Sequence, residues 1–332
     1  AIEAILRTRH TVFRNPPELS DRFGLAASLA DLTSEHEVAV LEMACHAFDD
    51  IRFLAELTRP QIGVVTRIDH SHLAYLGSLE AIAQEKGQLV AMLPPDGIAI
   101  LNYDDPHVQA MQRRTSARVV TYGLSPDADI VASGLRMDAE GLQFSVHFPG
   151  VSGLGTPGYP PKAEVRTRLL GRHQVYTVLA AIAVGLAYRI SWDDILDAME
   201  ELTSGAGHLQ LMHGYNGALI LDGSASCSPS TALQALSTLT DYPAQRRIAV
   251  LGDMSQLGGY AVEGHRQVGR AAAAFVDLLF VKGERAVWIA EAAQEAGLPD
   301  ANIWISYTAR DVIRHLKPQL RPGAVSYTHL RA

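Results

Sequence analysis

The sequence predicts an α/β fold in two domains, each a mostly parallel sheet wrapped by helices. Three observations predict it. The chain has 332 residues, more than one hydrophobic core usually organises, so two domains are expected. From about residue 36 to the end, short apolar runs alternate with segments of helical periodicity, the pattern of strand–helix units. Between 117 and 168 the alternation gives way to four closely spaced strand runs, which predicts an antiparallel addition to the first sheet.

The elements follow in order. Residues 38–43 and 62–66 are apolar runs of the kind buried in parallel sheets. Between them, 49–57 has helical spacing in Ile51, Phe53, Leu54 and Leu57, and Pro60 stops it. Residues 79–93 predict a second helix with Leu79, Ile82, Ala83, Leu89 and Val90 as its apolar positions. The strand at 97–101 ends in Asn102-Tyr-Asp-Asp-Pro106, where Asn and Asp can bond their own backbone and Pro106 can open a helix. Strands at 117–122, 130–137, 142–148 and 163–169 come next, then helices at 173–188 and 192–202. Gly205-Ala-Gly207 reads as a linker, dividing a domain of 1–207 from one of 208–332. Beyond it, strands at 218–222, 247–251, 278–281 and 302–306 alternate with helices at 229–239, 263–276, 286–296 and 308–320. That repeat predicts a second doubly wound domain.

Composition narrows the function classes. A net charge of −8 with no Lys/Arg cluster argues against a nucleic-acid partner. Lysine occurs only at 86, 162, 282 and 317, so arginine carries nearly all the positive charge. Cys45 and Cys227 form no Cys-x-x-Cys pattern, which fits a reduced, cytoplasmic protein without structural disulfides. The longest apolar run, 178–188, is too short to span a bilayer and reads as a buried helix. Arg7, Arg9 and His10 break up the start, so no signal peptide is expected. The chain begins without Met inside a helical pattern, and a fragment of a longer protein is expected.

Three residues stand out near the ends of the first strands: Glu42, His72 and Lys86. A carboxylate, an imidazole and a lysine so placed suit a site for a metal and phosphates. On the residues alone they read more readily as a salt-bridged acid, a helix-capping histidine and a surface lysine. The surrounding blocks add to this: Glu42-Met43, His72-Leu73 with Gly77-Ser78, Lys86-Gly87, Asn102-x-Asp104-Asp105-Pro106, Gly171-Arg-His173, Leu251-Gly-Asp-Met254, Leu257-Gly258, His265 and Gly269. In this order and spacing the chain resembles the Mur ligase family over roughly residues 1–323, and most closely the branch that joins D-alanyl-D-alanine to a UDP-muramoyl tripeptide.

The resemblance implies a central ATPase domain followed by a Rossmann-like C-terminal domain. It implies ATP and Mg²⁺, with Glu42 and His72 on the metal. Lys86 becomes a catalytic lysine, either carbamylated or a phosphate partner, and Asp222 a second catalytic residue. Asn102, Asp105, His173, Gln174 and Asp253 are implied at the nucleotide. The implied partners are the UDP-linked muramoyl peptide and D-alanyl-D-alanine, met by a monomer in the cytoplasm.

Departures from the family pattern cut the other way. The family's Asp-Asp-x-Tyr-Asn-Ala-x-Pro reads Asp222-Gly-Ser-Ala-Ser-Cys-Ser-Pro229, so Gly223, Ala225 and Ser226 replace an acid, a tyrosine and an asparagine. Arg67 and His208 replace an expected asparagine and arginine, Gln174 and Thr177 stand where asparagines are expected, and 17–22 lacks the asparagine-rich stretch. No Gly-x-x-x-x-Gly-Lys-Ser/Thr loop occurs, and 324–332 does not match, so a non-family tail is expected with the last strand missing or replaced. Two readings therefore stand. One is a piece of a ligase that binds MgATP weakly or not at all as given. The other is a non-catalytic relative that keeps the fold as a binding or scaffold protein. A nicotinamide enzyme ranks far below: it needs a Gly-x-Gly-x-x-Gly after a strand, and none is expected here.

Overall fold

A computed structural model describes residues 1–71, 73–149, 160–225 and 228–330. The chain divides into two compact units. One comprises Ala1–Arg136, Leu142–Thr167 and His173–Leu202; the other comprises Met137–Gly141, Arg168–Arg172 and Thr203–Ala332.

The first unit begins with α1 (Ile2–Leu6), β1 (Val12–Arg14), α2 (Arg22–Ser28), β2 (Val38–Val40), α3 (Asp50–Thr58) and β3 (Ile62–Val65). Next come α4 (Leu73–Leu76), α5 (Leu79–Ala91), β4 (Ile98–Asn102), α6 (Pro106–Ala110), β5 (Arg118–Gly123), β6 (Ile130–Met137), β7 (Leu142–His147) and β8 (Lys162–Thr167). The helices α7 (Gln174–Ala187) and α8 (Trp192–Glu200) close it. Strands β3 to β8 lie side by side in chain order. α7 is apolar nearly all round and buried from Val178 to Leu186, as its sequence predicts. Gly185 lets α1 approach it, since a Cβ there would lie 2.8 Å from Ile5 Cγ2.

Three expectations are corrected here. The run 38–43 is not one strand of the main sheet. β2 stops at Val40 and, among the described residues, pairs only with β1, because beyond it the Asn15 side chain takes the backbone of Glu42 out of any ladder: Glu42 N–H donates to Asn15 Oδ1 at 2.8 Å, and Asn15 Nδ2 donates to Glu42 O at 3.1 Å. In α3, Ile51 and Leu54 are buried as expected, but Phe53 and Leu57 face out and Ala55 takes an inward position. The strands of 117–168 are not all an antiparallel addition. β5 runs parallel to β4 along its length and parallel to β6 over Tyr122↔Ile130 and Gly123↔Val131, while β7 and β8 are antiparallel.

The second unit contains β9 (Gln210–His213), β10 (Leu219–Asp222), α9 (Pro229–Asp241), β11 (Arg246–Gly252), α10 (Ala261–Phe275) and β12 (Leu278–Lys282). It continues with α11 (Val287–Glu295), β13 (Ile303–Ser306), α12 (Ala309–Leu316) and β14 (Ala324–His329). Its sheet order is β13-β12-β11-β14-β10-β9, parallel throughout except for β9. β9 is an exposed edge strand without apolar alternation, so its sequence gives no strand signal. Residues 324–329, expected as a tail whose strand is missing or replaced, form the inner strand β14 between β11 and β10. Val325 and Tyr327 join the core built by Leu221, Leu236, Ala249, Leu251 and Val281.

Candidate functional site

In open parallel sheets, ligands bind beyond the carboxyl ends of the strands, and the first unit gathers its polar side chains there. The loop leaving β3 is held from three sides. Asn102, at the end of β4, donates from Nδ2 to Thr66 O at 2.9 Å. Asp105 accepts from Ile68 N–H at 2.8 Å on one oxygen, and from His107 and Val108 N–H at 2.9 and 3.1 Å on the other, so it caps α6 and anchors the loop at once. Lys86, on α5, donates from Nζ to Arg67 O at 3.3 Å. Three of the predicted site residues thus converge on the backbone of 66–68. His72, a few residues along this loop, lies outside the described residues.

His173 precedes α7, and Gln174 is its first residue; both are half-buried. Burial, and then the charge of Arg67, pulls the His173 imidazole down to about 4, so it is neutral near pH 7. Asp104 is a residue that sequence reasoning left out of the site. It accepts from Leu124 N–H at 2.6 Å, Ser125 N–H at 3.1 Å and Tyr176 Oη at 2.9 Å, tying the end of β4 to the loop after β5 and to α7. Gly123 makes room for it, since a Cβ there would lie 2.7 Å from the Asp104 carboxylate. The available signal was its place within the Asn-x-Asp-Asp-Pro block.

Glu42 follows β2, with its backbone clamped by Asn15 and its side chain exposed. Among the described residues its carboxylate has no hydrogen-bond or ion-pair partner, and no three His, Cys, Asp or Glu side chains gather into a metal-holding group. A single free carboxylate fits Mg²⁺, which keeps several waters and takes one or two carboxylates with substrate phosphates. Lys86 on α5, bonded to the Arg67 backbone, brings two cations to the loop after β3, which suits anionic phosphates.

In the second unit, Asp222 ends β10 and accepts from Ser224 N–H at 3.0 Å. Gly223 cannot carry the family's second acid, because a Cβ there would lie 2.5 Å from the Tyr327 ring. Asp253 accepts from Arg285 and Ala286 N–H at 3.0 and 2.7 Å, so its carboxylate sits at the start of α11, over Gly283. His265 is fully buried. It receives Met254 N–H on Nε2 at 3.0 Å and donates from Nδ1 to Ala261 O at 2.6 Å. Burial lowers its pKa, which keeps this tautomer neutral. Gly269 permits the close packing of α10 on α11, since a Cβ would lie 2.2 Å from Ile289 O. Much of the matched wording 251–269 therefore serves the scaffold.

Two open clefts of about 400 Å³ lie elsewhere in the first unit. One is lined by Pro126, Val131, His147 and Phe148, the other by Glu80, His107, Met111 and Arg114; neither includes a predicted site residue. A Gly-x-Gly-x-x-Gly spacing does occur at Gly153, Gly155 and Gly158, which corrects the expectation that no such run exists. It lies outside the described residues and joins the antiparallel pair β7 and β8, so it leads from strand to strand and not into a helix.

Comparison with known proteins agrees over most of the chain. Residues 2–185 match the Mur ligase middle domain, and 207–328 match the Mur ligase glutamate ligase domain, a stretch that includes most of β14. The UDP-N-acetylmuramoyl-tripeptide–D-alanyl-D-alanine ligase of Mycobacterium tuberculosis (strain ATCC 25618 / H37Rv) is 31% identical over 97% of this chain. The Bacillus subtilis protein of that name is 29% identical over 88% of it. The chain spans 65% and 61% of these relatives. Crystal structure I of MurF from Acinetobacter baumannii superposes with a TM-score of 0.87 at 20% identity, over 100% of this chain and 70% of that one. MurF from Thermotoga maritima in complex with ADP gives 0.85 at 19% identity, over 99% and 72%. These structural likenesses establish the fold.

Proposed function

The chain belongs to the Mur ligase family, and from that premise we propose that it carries the central and C-terminal parts of an ATP-dependent ligase that adds D-alanyl-D-alanine to a UDP-muramoyl tripeptide. The observation that carries this reading is the likeness, along nearly the whole chain, to relatives bearing that name. The convergence of Lys86, Asn102 and Asp105 on one loop supports it.

In the proposed reaction a carboxylate oxygen of the tripeptide attacks the terminal phosphorus of ATP, giving an acyl phosphate and ADP. The amine of the dipeptide then attacks the acyl carbon, phosphate leaves, and the amine loses a proton as the amide forms. Such chemistry depends on positioning and on neutralising phosphate charge. Glu42 and His72 would hold Mg²⁺, which supplies that neutralisation when bound. Lys86 adds a cation, or a negative group if carbamylated, at the loop that Asn102 and Asp105 hold in place. His173 and Gln174 offer neutral hydrogen-bonding groups to the nucleotide base, and Asp222 an acceptor for the incoming amine. Asp253 acts on the nucleotide only through the loop it braces. The reading places the protein in the cytoplasm as a monomer; among the described residues no helix is long and apolar enough to cross a membrane.

A second reading, a non-catalytic relative, is favoured by Gly223, where packing against Tyr327 excludes the acid. Calorimetry of MgADP on the full product of the gene separates the two. The ligase reading expects binding that weakens by roughly tenfold or more in Lys86→Ala, the loss of one charged contact. No binding at millimolar MgADP would favour the non-catalytic reading. Residues 1–332 alone, which contain no P-loop, should bind MgATP only weakly.

A further inference from the structure

Glu85 lies on α5 beside Lys86 and is only 1% exposed, among the most buried charges of the unit. Its two oxygens accept from Asp49 N–H at 2.9 Å and Ile51 N–H at 2.8 Å, at the start of α3. Asp49 takes a left-handed φ of 65° and makes no side-chain cap of its own, so α3 relies on this distant carboxylate. The segment between Glu42 and α3 is held throughout from outside. Asn15 clamps Glu42, Ala44 N–H donates to Ser20 O at 2.8 Å, and the buried Asp50 accepts from His46 and Ala47 N–H at 2.7 Å while pairing with Arg22.

Burying carboxylates to hold a loop is costly unless each oxygen is satisfied, and a cap from the Asp49 side chain itself, in extended rather than left-handed backbone, would serve α3 more simply. What the simple cap would not do is tie the Glu42 loop to the helix that carries Lys86. We propose that Glu85 is a positioning residue: it locks residues 42–51 onto α5, so that the Glu42 carboxylate and the Lys86 amine share one rigid frame for a divalent cation and its phosphates. This rests on the ligase reading.

The test uses the full gene product and the variants Glu85→Gln and Glu85→Asp. Glutamine keeps the size but turns an N–H₂ toward one of the two backbone N–H groups. Aspartate keeps the charge and withdraws it by one methylene, which gives a second chance of a folded variant. Hydrogen exchange over 46–51 and Mn²⁺ binding in the presence of ADP, followed by electron paramagnetic resonance, are read together. The proposal expects faster exchange and Mn²⁺ affinity weakened about tenfold, the scale of losing an outer partner of a metal ligand. ADP binding without metal should be unchanged. Faster exchange with unaltered Mn²⁺ affinity would make Glu85 a helix cap only and overturn the proposal. A wild-type protein that binds no Mn²⁺ with ADP would instead overturn the ligase reading and, with it, this inference.

Discussion

Gly223 and Tyr327 are a matched pair. Gly223→Asp, which reinstates the family acid, drives a side chain into the Tyr327 ring and should destabilise the protein by about 2 kcal/mol or more, as overpacking does. In a Tyr327→Ala background the same change should cost less. Urea unfolding of the two single variants and the double variant measures this coupling, and strictly additive costs would refute the pairing. His265→Ala leaves Met254 N–H without its partner in the core and removes the ring's bond to Ala261 O. It should lower stability by about 2–4 kcal/mol in the same assay. Such roles were only partly legible in the sequence. Glu42, Lys86, Asn102 and Asp105 could be picked out as polar residues at strand ends and in matched blocks. Glu85 could not, because a lone acid three residues after Ile82 on an apolar face looks like a surface position until α3 is laid over it.

At the scale of elements, Asp105 joins α6 to the loop after β3. Asp105→Ala should cost about 1–2 kcal/mol as a lost cap and lost loop anchor. Amide exchange at Ile68 should rise alongside, and an unchanged Ile68 amide would contradict the anchoring. At the start of α7, proton NMR should find the His173 imidazole titrating near 4, and a value near 6.5 would contradict its burial against the charge of Arg67. Most strands and helices were legible because their apolar periods are intact, α7 above all. The failures share one cause, which is that pairing partners are not written locally. β2 ends early because Asn15 competes for its backbone, β5 pairs in parallel although no long helix separates it from β6, and β9 is an edge strand with no apolar face.

For the whole molecule, acid should act through histidines held neutral. His173 and His329 are lowered to about 4, and His265 is lowered as well, each chiefly by burial. A folded-state pKa below the unfolded value of 6.5 means that the unfolded chain takes up protons first. Stability is therefore fully present above about 6.5 and falls as the pH drops toward 4. His329 alone, 1% exposed in β14, should contribute on the order of 3 kcal/mol to that fall. The urea midpoint should decline between about pH 7 and 5, and His329→Gln should flatten the decline; a flat wild-type profile would contradict it. The two-unit α/β plan was legible from length and alternation, while the inner place of residues 324–329 was not, since nothing local distinguishes an inner strand from an ending. The central claim is the ligase reaction. The most direct measurement is mass spectrometry of the full gene product incubated with UDP-muramoyl tripeptide, D-alanyl-D-alanine, ATP and Mg²⁺. The account predicts a product equal to tripeptide plus dipeptide less one water, with one ADP and one phosphate formed per amide. No such product from a folded protein that does bind MgADP would contradict it.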